Sequence, residues 1–323
     1  MMKTNDQAFR YYFWFMQKRM ELFWRKYNKE RFPWTDDQTL MNYKFTNVYR
    51  ASDRVSQYLI RNVIYPPNQA DFTPEDTLLR ILVFKVFNRI DTWKYIEELL
   101  GEPLVIANYN PKQLTKWLSE LQEVQAIFNG AYIMTGSHSA YTMYKSKHER
   151  WLYMIQEEML DRAGFQKILQ ANSLQEVYEL LIKCPFVGGF LAYQYAIDFN
   201  YSTAIDFDEN SFVKAGIGAE RGILKCFFVD KKYKLEDYIY HTQEKALQYR
   251  EQYGFTDFQP LFGREPTLID FQNCFCETDK LLRVKLPSAN LGNKRIKQKY
   301  RAHRIPIDYF FPPKWGLTIP SNS

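Results

Sequence analysis

No run of about eighteen uncharged apolar residues occurs in the 323-residue chain, so no stretch reads as a membrane-spanning helix. The first residues, MMKTNDQAFR, hold neither the apolar core nor the cleavage site of a secretion signal. The expectation is a soluble, cytoplasmic chain with no membrane partner. Cysteine is scarce, with Cys184, Cys226, Cys274 and Cys276 the full set. They are too few and too irregularly spaced for a disulfide framework or a four-ligand zinc site, which leaves free, mostly buried thiols and no metal. Strand signals are sparse, and no internal repeat or low-complexity tract interrupts the chain. These absences leave a mainly α-helical protein as the reading.

Aromatic residues are plentiful instead, at 17% of the chain with 25 Phe, 24 Tyr and 7 Trp. At that density they suit a tightly packed helical core and also surfaces on which bases stack. The length suffices for one large domain or two small ones with a sizeable core. Net charge is only +6, yet it is concentrated. From Lys280 to Arg304 there are nine Lys or Arg and no Asp or Glu, which leaves 34 basic against 37 acidic residues elsewhere. A basic arm on a near-neutral body is the pattern of a polyanion binder, because phosphate contacts release counterions. Lys294, Arg295, Lys297, Lys299 and Arg301 are the candidate phosphate contacts, giving affinity with little sequence preference. A solvated tail is the alternative, and the aromatic and proline residues from Tyr309 to Trp315 argue against it.

Residues 5–28 put Phe9, Tyr12, Phe13, Met16, Met20, Phe23 and Trp24 at spacings of three and four, a helix with an aromatic face. Arg31-Phe-Pro-Trp34 ends it. From Lys44 to Tyr65 the spacing predicts a second helix whose polar stripe carries Asn47, Arg50, Asp53, Arg54 and Gln57. Asn and Arg in a row suit hydrogen bonding to a ligand, and ion pairs from Asp53 to Arg50 or Arg54 are the structural alternative. Thr73-Pro-Glu-Asp76 opens a helix that is apolar nearly all round and ends at Asn88, itself a candidate for contacting a base. Ser173-Leu-Gln-Glu176 is a capping box for the helix that runs to Pro185. Gln272, Asn273, Glu277, Asp279 and Lys280 gather around Cys274 and Cys276, either as a second ligand-reading group or as helix pairing.

The stretch from Leu181 to Phe212 reads LIKCPFVGGFLAYQYAIDFNYSTAIDFDENSF. A helix ends at Cys184-Pro185, a Phe-Val-Gly-Gly turn follows, an apolar run restarts at Phe190, and Asp206 and Asp208 come about one helix later. Glycines at a helix-to-helix turn bring backbone N–H groups close to a phosphate, and the next helix adds its positive end. Gly188 and Gly189 are therefore candidate phosphate contacts, with an ordinary helical hairpin and a solvated acidic loop as the alternative. Downstream, KAGIGAERGI from Lys214 to Ile223 is a second glycine-rich turn. Gly216 and Gly218 either face a phosphate or make a tight turn between helices. No strand pattern precedes them as a dinucleotide fold would require.

Five segments carry a resemblance to a known family: RFPWTDDQTLMNYKFTNVYRASDRVSQYL, FKVFNRIDTW, PFVGGFLAYQYAIDFNYS, DENSFVKAGIGAERGI and QNCFCETDKLLR, together spanning roughly residues 31 to 285. On them the chain resembles the alpha-glutamyl/putrescinyl thymine pyrophosphorylase group and the related helical domain of hydroxymethyluracil DNA kinases. The resemblance implies a helix-hairpin-helix DNA glycosylase-like fold, looking closest to antiphage DNA glycosylases. Two helical lobes are then expected, with the active site between them. The implied catalytic domain covers 1–285, its residues 1–65 packing with the hairpin lobe, and the basic arm covers 286–323. Adenine-excising members of that superfamily have a Pro-Trp entry and a Pro-Gly-Val-Gly hairpin. They carry an alanine four positions after its last glycine and the catalytic aspartate about twenty after it. Counted from Gly188, Ala192 stands at plus four and Asp208 at plus twenty, with Asp206 two earlier. Phe186 departs from the pattern, standing where the hairpin has its first glycine.

The resemblance implies an enzyme on double-stranded DNA carrying modified bases, with no cofactor and no protein partner. The expected activity is a DNA glycosylase that flips out and excises a bulky modified pyrimidine, glucosylated 5-hydroxymethylcytosine above others. Abasic sites would be left in phage DNA as antiviral defence. Asp208, or else Asp206, would stabilise the sugar cation as the bond breaks or orient the attacking water. Gly, Phe, Leu and Ala follow Gly188, where a lyase would carry its lysine, so a monofunctional hydrolase is expected. Asn47, Arg50, Asp53, Arg54, Asn88, Gln272, Asn273, Glu277 and Lys280 would read the base or its adduct. One alternative is a transferase that adds an amino acid or polyamine to activated 5-hydroxymethyluracil, with the same aspartates as base for the incoming amine. The other is a DNA-binding protein without chemistry.

Overall fold

The computed structural model describes residues 2–67, 69–130, 134–293, 295–296, 298–303 and 305–320. Among these the protein is mainly α-helical, with fourteen α-helices and a single two-stranded sheet that pairs Lys3–Thr4 antiparallel to Phe227–Phe228. No helix among the described residues is long and apolar enough to cross a membrane. The chain forms two compact units. The first comprises Met1–Asp53, Phe212–Tyr309 and Trp315–Ser323, the second Arg54–Ser211 and Phe310–Lys314.

The first unit is built on the helix Asp6–Tyr27, whose 22 residues contain no glycine or proline. Asp6 opens it and Arg25 and Lys26 close it, each charge matching the helix end it faces. Its aromatic face is buried as the spacing predicts, with Phe9, Tyr12, Phe13, Met16, Met20 and Phe23 almost without solvent contact. The Phe9 ring meets Phe13 and Tyr249 edge-on, Tyr12 lies 4.4 Å from Phe275, and the Tyr12 hydroxyl donates to the carbonyl of Phe271 at 2.9 Å. Such ring pairs each contribute about 0.5–1.5 kcal/mol beyond area burial. They fasten the N-terminal helix to the long helix Leu268–Lys285, against which Ile217–Cys226 also packs.

The second unit is organised on the helix Pro74–Phe87. Thr73 and Asp76 form the capping box that the sequence signals, each side chain accepting the other's backbone N–H at 3.0 Å, with Pro74 in the first turn. Nearly every later residue of this helix is buried, Arg80 included. Arg80 is accommodated because its guanidinium donates to the carbonyls of Val63 and Leu104, pairs with Glu97 at 3.0 Å and lies over the Phe72 and Trp93 rings. The helix Leu174–Leu181 starts at Ser173, whose hydroxyl accepts the N–H of Glu176, and leads into the hairpin helix Gly189–Asn200.

The predicted helix from Lys44 to Tyr65 is corrected. Residues 44–49 are irregular, Arg50–Ser52 is one 3-10 turn, and regular helix starts only at Arg54, becoming a π-helix over Leu59–Ile64. Asn47 and Asp53 cause the change, because their side chains bond the local backbone. The Asn47 amide donates to the carbonyl of Ser52, and Asp53 accepts the N–H of Asn47 at 3.0 Å. Short polar side chains compete with the helical ladder in this way. Helical spacing along 47–57 was thus coincidental.

Candidate functional site

The hairpin turn lies within the second unit. Phe186 has φ +69°, the left-handed conformation that glycine adopts freely and other residues at a cost of about 1–2 kcal/mol. Its side chain is buried among the rings of Tyr141, Trp151 and His138, with centroids 5.1, 5.3 and 5.6 Å away. The residue that departs from the glycine pattern therefore keeps the glycine's backbone, and aromatic packing offsets the strain. Gly188 then caps the helix Gly189–Asn200 in an extended conformation. A Cβ on Gly188 would meet nothing within 4 Å, so this end of the helix is open to a ligand. A Cβ on Gly189 would lie 3.1 Å from the Tyr178 hydroxyl, so Gly189 is accounted for by packing. The first N–H groups of a helix lack intrahelical partners and face outward with its positive end, which suits a phosphate.

The same helix holds the aspartate loop at its other end. Asn200 is fully buried, and its amide brackets Phe207, accepting that residue's N–H and donating to its carbonyl, both at 2.9 Å. The Tyr65 hydroxyl donates to the carbonyl of Tyr201 at 2.8 Å, and burial, then the charge of Asp206, pushes the Tyr65 phenol up to about 12. Asp206 and Asp208, one on each side of the bracketed Phe207, are both exposed. They differ in their engagement. Lys314 reaches Asp206 at 3.0 Å and the carbonyl of Ile205 at 3.2 Å, whereas the Asp208 carboxylate meets no cation among the described residues and accepts the N–H of Asn210, at 2.9 Å, inside its own turn. Asp208 is thus the less neutralised carboxylate. Sequence reasoning missed Asn200, Tyr65 and Lys314, and no spacing signal ties Lys314 to a loop 108 positions earlier.

Asn88 also sits in this unit, in a structural position. It ends the helix Pro74–Phe87 at φ +48°, is buried, and accepts from the Lys85 ammonium at 3.0 Å. Lys85 in turn pairs at 3.4 Å with Asp198, both side chains being buried. In place of the expected contact with a base, the Asn88 backbone closes the helix, its N–H donating to the carbonyl of Phe84, and its side-chain oxygen partners a buried ion pair.

In the first unit the second glycine turn opens the helix Ile217–Cys226, capped by Gly216 in an extended conformation. A Cβ on Gly218 would lie 2.3 Å from the Cys276 sulfur, and one on Gly222 would lie 2.0 Å from the carbonyl oxygen of Phe275. Gly218 and Gly222 thus let two helices touch, a packing role that accounts for both glycines and leaves the first-turn backbone N–H of Gly218 unengaged by it. Gly216 keeps the helix-start geometry.

The polar stripe and the second polar cluster are brought together, around a residue the sequence reading missed. Arg19 is buried on the aromatic face of the N-terminal helix, at a register between Met16 and Phe23 where only an apolar residue is expected. Its guanidinium donates to the Asn47 side-chain oxygen at 2.6 Å and to the Thr46 carbonyl at 3.0 Å. Asn273 donates to the Asn47 carbonyl, Glu277 accepts the N–H of Thr46 and pairs with Lys280 at 2.7 Å, and Asp270 accepts the N–H of Arg50. The side chains of Asn47, Asp53, Asn273 and Glu277 therefore all bind the backbone of residues 46–52. Gln272 is buried, while Arg54 begins the helix of the second unit. The network is a structural clasp between the loop 44–53 and the long C-terminal helix, rather than a row of side chains offered to a base.

Burial pushes the Asp53 carboxyl up to about 6, against the N–H of Asn47 and the Arg19 charge, which pull it down. An acid whose pKa rises on folding binds its proton more tightly in the folded state. Stability should then fall as pH rises from about 4 to about 6 and stay level above that. Urea midpoints of the protein and of Asp53→Asn, measured between pH 4 and pH 7, should diverge by on the order of 2–3 kcal/mol across that window. Parallel curves would refute the buried-acid assignment.

Part of the basic arm is fastened to the first unit. The N–H of Lys44 donates to the carbonyl of Gln298, and the N–H of Tyr300 to that of Asn42, at 3.1 and 3.0 Å, with Tyr43 and Lys299 forming a bridge. Arg295, Lys299 and Arg301 are exposed on this stretch. Lys294 and Lys297, also expected to contact phosphate, lie outside the described residues. All four cysteines are free, with Cys226 and Cys274 buried.

The family described as "5-hmdU DNA kinase, helical domain" matches residues 6–290. A 5-hmdU DNA kinase of Bacillus phage SP10 is 27% identical over 338 residues, covering 96% of this chain and 51% of the relative. The chain thus spans about half the length of the curated relative it matches. No solved structure matches. The chain belongs to the 5-hmdU DNA kinase helical-domain family.

Proposed function

We propose that this chain, as a member of that family, is an enzyme acting on DNA at a 5-hydroxymethylated uracil, and that Asp208 carries its chemistry. The observation that carries the reading is the hairpin helix itself. One end is an open, glycine-capped start suited to a DNA phosphate, and the other end clamps the loop bearing Asp206 and Asp208. A kinase of 5-hmdU, the activity in the relative's name, makes a phosphate ester on the 5-methylene carbon, and such an ester is a leaving group. The reaction that fits is transfer. An amine of an amino acid or polyamine attacks the methylene carbon, a C–N bond forms, and the C–O bond breaks with its electron pair leaving on the phosphate or pyrophosphate. Asp208 accepts the amine proton. Asp206 is already paired with Lys314 and so is the less available acceptor. A phosphate held at Gly188 would fix the strand while the base is turned out of the stack.

Excision of a modified base is a second reading, favoured by the position of Asp208 twenty residues after Gly188. There the carboxylate would stabilise the sugar cation instead. Both readings are tested by one set of incubations. DNA carrying 5-hydroxymethyluracil, its phosphorylated form or glucosylated 5-hydroxymethylcytosine is mixed with the protein and a set of amines, then digested and analysed by mass spectrometry. An amine adduct on the phosphorylated base supports transfer, while free base and abasic sites support excision. Intact DNA in every mixture, despite binding, would leave only a DNA-binding role. With whichever substrate reacts, Asp208→Asn is expected to lower turnover by about 10²–10⁴-fold with DNA affinity little changed. Asp206→Asn should have the smaller effect. The reverse order would move the chemistry to Asp206.

A further inference from the structure

The first unit contains an open cleft of about 570 Å³, within the range of about 300–1,000 Å³ typical of small-molecule sites. Its walls are the end of the N-terminal helix, the turn after it, His303 and residues 305–309, and its lining includes Lys26, Tyr27, Lys29, Trp34, His303, Asp308 and Tyr309. We propose that this cleft holds one nucleotide of a DNA strand, with the base against the aromatic rings and the phosphate at the lysine rim. Its lining residues belong to the first unit and those of the aspartate loop to the second.

Three features carry the assignment. The aromatic side chains are preset: the Tyr27 hydroxyl donates to the carbonyl of Pro320 at 2.8 Å, the Trp34 indole N–H donates to that of Glu30 at 2.9 Å, and Tyr309 packs edge-on against Phe23 at 5.1 Å. Trp34 is buried beneath Lys26, whereas Tyr27 and Tyr309 are partly exposed and, held this way, offer ring surface to a flat base without further ordering on binding. Cations adjoin the rings, since the Lys26 ammonium lies 4.9 Å from the Trp34 centroid and Lys29 is exposed at the rim. A ligand that matches both has a π-face and an anion side by side, the chemistry of a nucleotide. Finally, His303 in the wall lies two residues after the exposed Arg301, which follows the exposed Arg295 and Lys299 along the chain. A strand with successive phosphates engages the cleft and these cations together, whereas a free nucleotide engages the cleft alone.

The test uses the full chain and a single-stranded oligothymidylate with one central 2-aminopurine, whose emission is quenched on stacking. Binding is expected to quench it. Lys29→Gln, at an exposed position, should weaken binding about fivefold and reduce the slope of log affinity against log salt by about 0.7. Tyr309→Leu should weaken binding comparably and leave the bound probe bright. Thymidine monophosphate should displace the oligonucleotide only at large excess. Displacement at equal concentration would overturn the strand and give the cleft to a free nucleotide. No quenching, or unchanged affinity in both variants, would overturn the site altogether. Asp208→Asn should quench normally, so loss of the chemistry proposed above and loss of this site give different results.

Discussion

Asp279→Ala is expected to destabilise the protein by about 3–5 kcal/mol, the cost of removing one partner from a buried charge cluster. The Asp279 carboxylate is almost wholly buried and is the anion for three cations: Lys225 at 2.9 Å, Arg221 at 3.2 Å and Arg283 one helical turn on. Burial alone would raise its pKa, but hydrogen bonds from Lys225 and Arg283 outweigh it and hold the carboxyl below the usual range. Lys225 is itself buried, so without Asp279 its ammonium would remain desolvated beside two guanidinium groups. Urea denaturation of Asp279→Ala, Lys225→Met and the double variant Asp279→Leu/Lys225→Met separates the terms. The first should be the most damaging, and the double variant should recover most of the loss by removing both charges. A loss below about 1 kcal/mol for Asp279→Ala would mean a solvated pair. The depressed pKa fixes the sign of the pH effect too: this stability is present above about pH 4 and is lost as pH falls through the folded-state value.

Gly222→Ala should cost about 3 kcal/mol or more, at the upper end of overpacking penalties. Its new methyl would start 2.0 Å from the Phe275 carbonyl oxygen and 2.7 Å from the carbonyl carbon, backbone atoms that cannot turn aside. The helices Ile217–Cys226 and Leu268–Lys285 would have to separate, loosening the Lys225–Asp279 pair that their contact encloses. Gly218→Ala is the informative comparison, because its methyl meets the Cys276 side chain, 2.3 Å from the sulfur. Removing that sulfur in Gly218→Ala/Cys276→Ala should restore much of the thermal stability, and no second-site truncation should restore Gly222→Ala. Equal, mild losses at both glycines would show that the helices have room to move apart.

Helices with a complete local code were legible in the sequence. Asp6–Tyr27 has seven aromatic or methionine positions in register and no breaker, Pro74–Phe87 carries a capping box that bonds as its spacing implies, and Leu174–Leu181 forms the Ser173 half of its box while Glu176 accepts the N–H of Asn172 instead. What escaped depends on partners remote in sequence or on the backbone itself. Arg19 occupies a core register, and its acceptors lie in the loop 45–47, so nothing local announces it. The stripe from Asn47 to Gln57 imitates helical periodicity, yet two of its members spend their polar groups on the loop that carries them. Gly218 and Gly222 stand four apart, the spacing of close helix contact, which beside a Gly-Ile-Gly start also reads as a phosphate turn. Asn88 was visible as a polar residue at a helix end, whereas its left-handed φ and buried lysine were not. Around the candidate site, the two aspartates could be picked out from their register, but their unequal engagement by Lys314 and by the local turn could not.

Phe186 also constrains how this hairpin could change over generations. A turn shaped by glycine tolerates revision of its surroundings, since the residue contributes nothing to them. Here a left-handed turn and a filled aromatic pocket depend on one side chain. Replacing Phe186 with glycine would free the backbone but empty the space between Tyr141 and Trp151. Backbone and packing at this turn are therefore coupled through one side chain, and a substitution that relieves the first also removes the second.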